Sequence, residues 1–131
     1  MTDTVVITGI ARTPMGAFKG AFADVAAPDL GAVAIKAAMS EANVAADAVE
    51  QVVMGCVLPA GQGQAPARQA ALGADLPKAT EAVTVNKMCG SGMQAAIMAH
   101  DTIKAGSAAI IVAGGMENIT RAPYLLPDAR N

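Results

Sequence analysis

The chain has 131 residues, enough for one domain with its own core. Hydrophobic residues make up 53% of it and charged residues only 15%, an interior-rich balance that points to buried interfaces. The net charge is −2 with no basic cluster, which weighs against nucleic-acid binding.

Aromatic side chains are limited to Phe18, Phe22 and Tyr124, so the core is to be built from Ala, Val, Ile, Leu and Met. The two cysteines, Cys56 and Cys89, have no framework spacing, which argues against a disulfide scaffold and fits a reducing compartment. Residues 1–10 lack the basic and long apolar regions of a signal peptide. No window of about 20 residues has the character of a membrane span. The expectation is a soluble cytoplasmic protein that binds no membrane.

Along the chain, residues 4–10 (TVVITGI) form a β-branched run that reads as a first strand buried on both faces. Pro14, Gly16 and Gly20 mark residues 11–27 as a loop. Arg12, at the strand end, is either a functional cation or a surface arginine bonding loop carbonyls. Pro28 and Asp29 then open a helix, with Asp29 as N-cap and Leu30, Val33, Ala34, Ala37 and Ala38 on one face. Asn43 is its stop.

Residues 49–58 read as the second strand, 59–63 as a turn, and 65–72 as a short helix with Pro66 near its start. The stretch Gly61-Gln62-Gly63-Gln64-Ala65-Pro66 has only a superficial likeness to a dinucleotide fingerprint. Pro66 stands at the third glycine position and the following helix is very short, so no nucleotide site is assigned.

Residues 81–85 (EAVTV) form the third strand and lead to Cys89. A helix follows over 90–104, ended by Gly106. Residues 93–99 of it are apolar nearly all round, and a helix of that kind is covered on every side. One small sheet covers only one side, so the helix calls for more protein around it. Met88, Met93 and Met98 read as packing residues. Residues 108–113 form the fourth strand, followed by Gly114-Gly115-Met116-Glu117-Asn118 and a tail without periodicity. The order βαβαβαβ predicts an α/β fold with a mixed, mainly parallel sheet and right-handed crossovers.

Cys89 is the chemically telling residue, between a strand and a helix. A thiol at a helix N-terminus meets the positive end of the dipole and several unpaired N–H groups, both of which favour the thiolate nucleophile. Small neighbours leave room for a substrate carbonyl. Cys56, inside an apolar run, reads as structural. The single histidine, His100, lies eleven residues after Cys89, roughly 16 Å along a continuous helix, and is not its base. The chain therefore holds a nucleophile without its proton-transfer partner. Either that partner comes from elsewhere or the site does not turn over.

Four motifs in order resemble the N-terminal part of a thiolase. They are Arg12-Thr13-Pro14, the run Gly61 to Gln69 (GQGQAPARQ), the run Val85 to Met93 (VNKMCGSGM), and Val112-Ala113-Gly114-Gly115-Met116-Glu117, followed by Ala122-Pro123-Tyr124. The likeness covers almost the whole chain and leans toward the acetyl-CoA C-acetyltransferases, the acetoacetyl-CoA thiolases. Asn118-Ile119 stands where the family usually has Ser-Met.

The resemblance implies a Claisen condensation of two acetyl-CoA to acetoacetyl-CoA, or the reverse thiolysis used in fatty-acid β-oxidation, through an acyl-Cys89 thioester. The Cys89 amide would serve an oxyanion hole, and Met88 and Gly90 would border the substrate. Acyl-CoA and CoA are then the small-molecule partners, with the CoA thioester as substrate and no cofactor or metal. The helix after Cys89 would be the buried central helix of a two-sheet sandwich. Residues 1–118 would form a partial N-terminal domain and 119–131 the truncated start of a loop domain. The family's C-terminal histidine, asparagine and second cysteine motifs do not occur here. The expectation is a homo-oligomer or a chain that pairs with a complementary C-terminal half, with little activity alone. A non-catalytic interaction module, docking through the fourth strand's edge and the apolar helix, is the alternative. A one-cysteine redox protein is a weaker third reading.

Overall fold

The computed structural model describes residues 4–130. Its elements are α1 (Ala27–Ala42), β1 (Gln51–Gly55), α2 (Pro66–Gly73), β2 (Glu81–Val85), α3 (Ser91–Lys104) and β3 (Ile111–Gly115), with short 3-10 turns at Ala46–Ala48 and Ile119–Arg121. The three strands form a parallel sheet in the order β2-β1-β3, and Val53 of β1 pairs with Val83 on one side and Ala113 on the other. Parallel neighbours need crossovers, and α2 and α3 supply them.

Alternation along β1 divides the core in two. Val52, Met54 and, just beyond the strand, Cys56 join α1, α2 and Met116 in one cluster. Val53 and Gly55 point to the other face, where Gly55 lies against Ser91 at the start of α3. Ile35, Val52 and Met54 are fully buried, each contributing about 1.5–3 kcal/mol of hydrophobic stabilisation.

The third expected strand, residues 81–85, matches β2 residue for residue. Asn43 ends α1 in the left-handed region (φ 52°), its N–H donating to the Met39 and Ser40 carbonyls. Gly106, at φ +74°, follows α3 as expected.

Four expectations need correction. Residues 4–10 form no strand; Val6, Ile7 and Ile10 are exposed. The segment is tied to α1 instead, with Ile10 N–H donating to Glu41 Oε2 at 2.6 Å. A β-branched run dictates extended backbone, but pairing depends on a distant edge that the run does not specify. Secondly, Asp29 is not the N-cap. Ala26 occupies that position without a side-chain cap, and Asp29 lies in the first turn, where the dipole still favours it.

Thirdly, the buried stripe of α1 is Pro28, Gly31, Ala32, Ile35 and Met39, and Val33 is exposed. Alanine at so many positions makes several stripes apolar, so the pattern leaves the phase open. Gly31 sets it by lying against Met116 and Ala70. Finally, β3 starts at Ile111 and includes Gly114 and Gly115. Gly114 and Gly115 continue the strand beside Met54 and Gly92, where an added Cβ would meet each at an ordinary 3.4 Å.

On α3, Ala95 and Ala99 are buried while Met93 is 70% and Ile97 45% exposed. The sheet covers one side of this apolar helix only. No helix among the described residues is long and apolar enough to cross a membrane.

Candidate active site

The C-terminal ends of parallel strands are where α/β sheets place ligands. Here the segments after β1, β2 and β3 converge with residues 11–16 around an open cavity of about 840 Å³. Arg12, Leu58, Met88, Cys89, Gly92 and Glu117 are among its lining residues. A hollow of about 390 Å³ at the opposite strand ends is lined by Asp47, Glu50 and Thr80, among others, and neither cysteine borders it.

Cys89 is exposed on the cavity wall. The turn that carries it is closely hydrogen-bonded. Met88 has φ +48°, a left-handed conformation unusual for a long side chain. Its N–H donates to Asn86 Oδ1 at 3.0 Å. Gly90 N–H donates to the Lys87 carbonyl and Ser91 N–H to the Met88 carbonyl, both at 3.0 Å. Buried Ser91 staples the turn: its Oγ accepts Lys87 N–H at 2.8 Å and donates to the Met88 carbonyl at 2.6 Å. The Cys89 amide takes no part in these bonds. Gly90 is the N-cap of α3, without a side-chain cap, and Cys89 immediately precedes it. Of the two expected substrate neighbours, Met88 lines the cavity with Cys89, and Gly90 is half-buried behind it.

Cys56 lines the same cavity but is only 1% exposed. Its Sγ lies 3.7 Å from Glu117 Oε1 and 3.8 Å from Gln62 Oε1. Burial pushes its pKa above the ordinary 9.0, and the Glu117 charge pushes the same way. A raised pKa in the folded state means that folding favours the neutral thiol. That contribution is complete below the unfolded thiol's pKa and is lost as pH rises through the folded one. Stability is therefore expected to decline above about pH 9, more steeply than in Cys56→Ala; denaturant melts from pH 7 to 10.5 check this.

His100 is exposed on α3, bonded to Asp101 at 2.9 Å, and about 14 Å along the axis from Ser91 at roughly 1.5 Å per residue. The glycine-rich run before α2 is closed by its own side chains. Gln69 Nε2 donates to the Gln62 and Gln64 carbonyls, and Gln62 Nε2 to the Leu58 carbonyl. Ala67 N–H, in the first turn of α2, is capped by Thr84 Oγ1 from β2 at 2.9 Å. No cluster of three or more His, Cys, Asp or Glu side chains suited to a metal is present among the described residues.

Ser91, Asn86 and Glu117 shape the site without having been singled out from sequence. Its place two residues after Cys89 is the one local trace that Ser91 leaves in the sequence. The partners of Glu117 lie some 60 residues away and leave no such trace.

A parallel α/β sheet with an exposed cysteine where its second crossover helix begins defines the class of fold, and sequence comparison gives the family. The thiolase N-terminal domain family matches residues 5–131, and the chain belongs to the thiolase family. An acetyl-CoA acetyltransferase from Cupriavidus necator is 52% identical over 131 residues, all of this chain and 33% of that protein. A probable acetyl-CoA acetyltransferase from Escherichia coli is 48% identical over 126 residues, 96% of this chain and 32% of that one. A mitochondrial acetyl-CoA acetyltransferase from Danio rerio is 47% identical over 124 residues, covering 95% and 30%. Among solved structures, the Acat5 thiolase from Ascaris suum in complex with coenzyme A superposes with a TM-score of 0.91 at 38% identity, covering 93% of this chain and 32% of that one. The chain thus spans about a third of the length of the curated relatives it matches.

Proposed function

We propose that this chain is the nucleophile-bearing part of an acyl-CoA C-acyltransferase, with Cys89 as the acyl acceptor. The observation that carries the reading is an exposed thiol at an uncapped helix start, on the wall of the cavity at the strand ends. The names of the relatives favour acetyl-CoA as substrate, and the coenzyme A in the Acat5 thiolase structure favours a CoA thioester as the bound form.

In this reading Cys89 Sγ adds to the thioester carbonyl of acetyl-CoA. The carbonyl's bond to the CoA sulfur breaks, a new bond to Cys89 forms, and the thiol proton ends on CoA. The α-carbon of a second acetyl-CoA, having lost a proton, then attacks the acetyl-Cys89 carbonyl. A carbon–carbon bond forms, and Cys89 leaves and regains a proton. Acetoacetyl-CoA is the product, and the reverse sequence is thiolysis. The Cys89 amide is the oxyanion donor this chain supplies. His100 is turned to Asp101, so the proton carriers belong to other polypeptide. The one-sided burial of α3 fits a complementary C-terminal half or a further copy against Met93 and Ile97.

A non-catalytic docking role is the second reading, favoured by that same exposed stripe. Alkylation separates the two. With iodoacetamide at neutral pH, Cys56→Ser should keep fast labelling and Cys89→Ser should lose it, a rate difference of at least about tenfold. Equal rates at both cysteines would overturn the nucleophile reading.

A further inference from the structure

The Val57 peptide is held from two sides by side chains that do not hydrogen-bond Cys89. Glu117, just past β3, accepts Val57 N–H at 2.7 Å and Leu58 N–H at 3.3 Å. Asn86, just past β2, donates its Nδ2 to the Val57 carbonyl at 3.1 Å. The same carboxamide accepts Met88 N–H on Oδ1 at 3.0 Å. One continuous chain of hydrogen bonds therefore links the ends of all three strands to the residue before Cys89. Met88, where that chain ends, stands at φ +48°. A non-glycine residue stays in that region only where its surroundings hold it.

We propose that Asn86 is a positioning residue for Cys89: anchored through Val57 to Glu117, its carboxamide holds Met88 in the left-handed conformation and so fixes the turn that presents the thiol at the start of α3. Its consequence for acyl transfer rests on the reading of Cys89 as nucleophile; the positioning itself does not. Because the two ends of the carboxamide do different work, donor to Val57 and acceptor from Met88, neither an aliphatic residue nor a lone acceptor replaces it.

The test is site-resolved amide hydrogen exchange on the full chain. The reporters are Gly90 and Ser91, whose amides close on Lys87 and Met88 and do not touch Asn86. Asn86→Ala is expected to speed their exchange about tenfold or more, while the central-strand amides of Val52 and Val53 keep their protection. Adding Met88→Gly should return the reporters to within about threefold of the parent, because glycine takes positive φ unaided. Glu117→Ala should speed Gly90 and Ser91 in the same direction, by about threefold or more, through Val57. If Asn86→Ala also releases the β1 amides, the chain has unfolded. Asn86→Asp, which keeps the acceptor for Met88 and loses the donor to Val57, then takes its place with an intermediate effect.

Unchanged exchange at Gly90 and Ser91 in a folded Asn86 variant would overturn the proposal. So would failure of Met88→Gly to rescue, or a Glu117→Ala effect confined to residues 57 and 58. Cys89 alkylation should slow in Asn86→Ala and recover with Met88→Gly. If the exchange results hold while Cys89 labels no faster than Cys56 in the parent, positioning stands and the acyltransferase reading falls.

Discussion

Grafted in place of the corresponding third of the Cupriavidus necator acetyl-CoA acetyltransferase, residues 1–131 are expected to support acetyl transfer, and Cys89→Ser in that chimera to lower kcat at least about a thousand-fold. The loss is large because the residue forms and breaks the covalent bond to the acyl group in both half-reactions. A hydroxyl in its place is a far weaker nucleophile at neutral pH, and the turn holds no base to activate it. KM for acetyl-CoA should change much less, since serine is nearly isosteric and leaves the Met88, Gly90 and Ser91 turn intact. Cys56→Ser is the control. Its thiol is buried against Glu117 and Gln62, so it should affect stability before it affects turnover.

The second large effect is expected at Gly55. A Cβ there would lie 2.6 Å from both the carbonyl carbon and the Cβ of Ser91, and 2.8 Å from Gly92 N. The obstacles are mostly backbone, which cannot swing aside. Gly55→Val must push the start of α3 off the sheet or fail to pack, at a cost of about 3 kcal/mol or more. Against a typical total of roughly 5–15 kcal/mol, that is a large share of the fold's stability. Any folded remainder should also show a displaced Cys89 turn, since Ser91 staples it. Gly92→Ala is the contrasting case. Its Cβ would meet Gly115 N at an ordinary 3.8 Å, and alanine is tolerated in the first turn of a helix, so a change within about 1 kcal/mol is expected. Urea melts of the two variants separate close approach from glycine content.

How much of this was legible beforehand follows from how local each signal is. The strand 81–85 is alternating, β-rich and bounded by punctuation, and the structure reproduces it. Asn43 and Gly106 stop their helices as expected, because a left-handed C-terminal residue is a local requirement. Residues 4–10 form no strand, because extended backbone is a local property whereas strand pairing is not. The phase of α1 differs from the one its sequence suggests because alanine sits on several faces, and only contact with Met116 and Ala70 selects one.

The same division runs through the site. Cys89 and its helix start could be read from neighbouring residues. The bond from Glu117 to Val57 and that from Asn86 back to Val57 join segments about 60 and 30 residues apart, beyond the reach of any local pattern. Gly114 and Gly115 lie within β3, past residue 113 where the sequence pattern ends the strand, because pairing with β1 continues beyond the apolar run.

The most direct measurement is to mix the chimera with acetyl-CoA, quench in acid within the first turnovers, and locate the acetyl group by peptide mass spectrometry. An acetyl thioester on Cys89, released by hydroxylamine and absent from Cys89→Ser, is the predicted result. Turnover with no acetyl on Cys89, or with the label on Cys56 instead, would contradict the account.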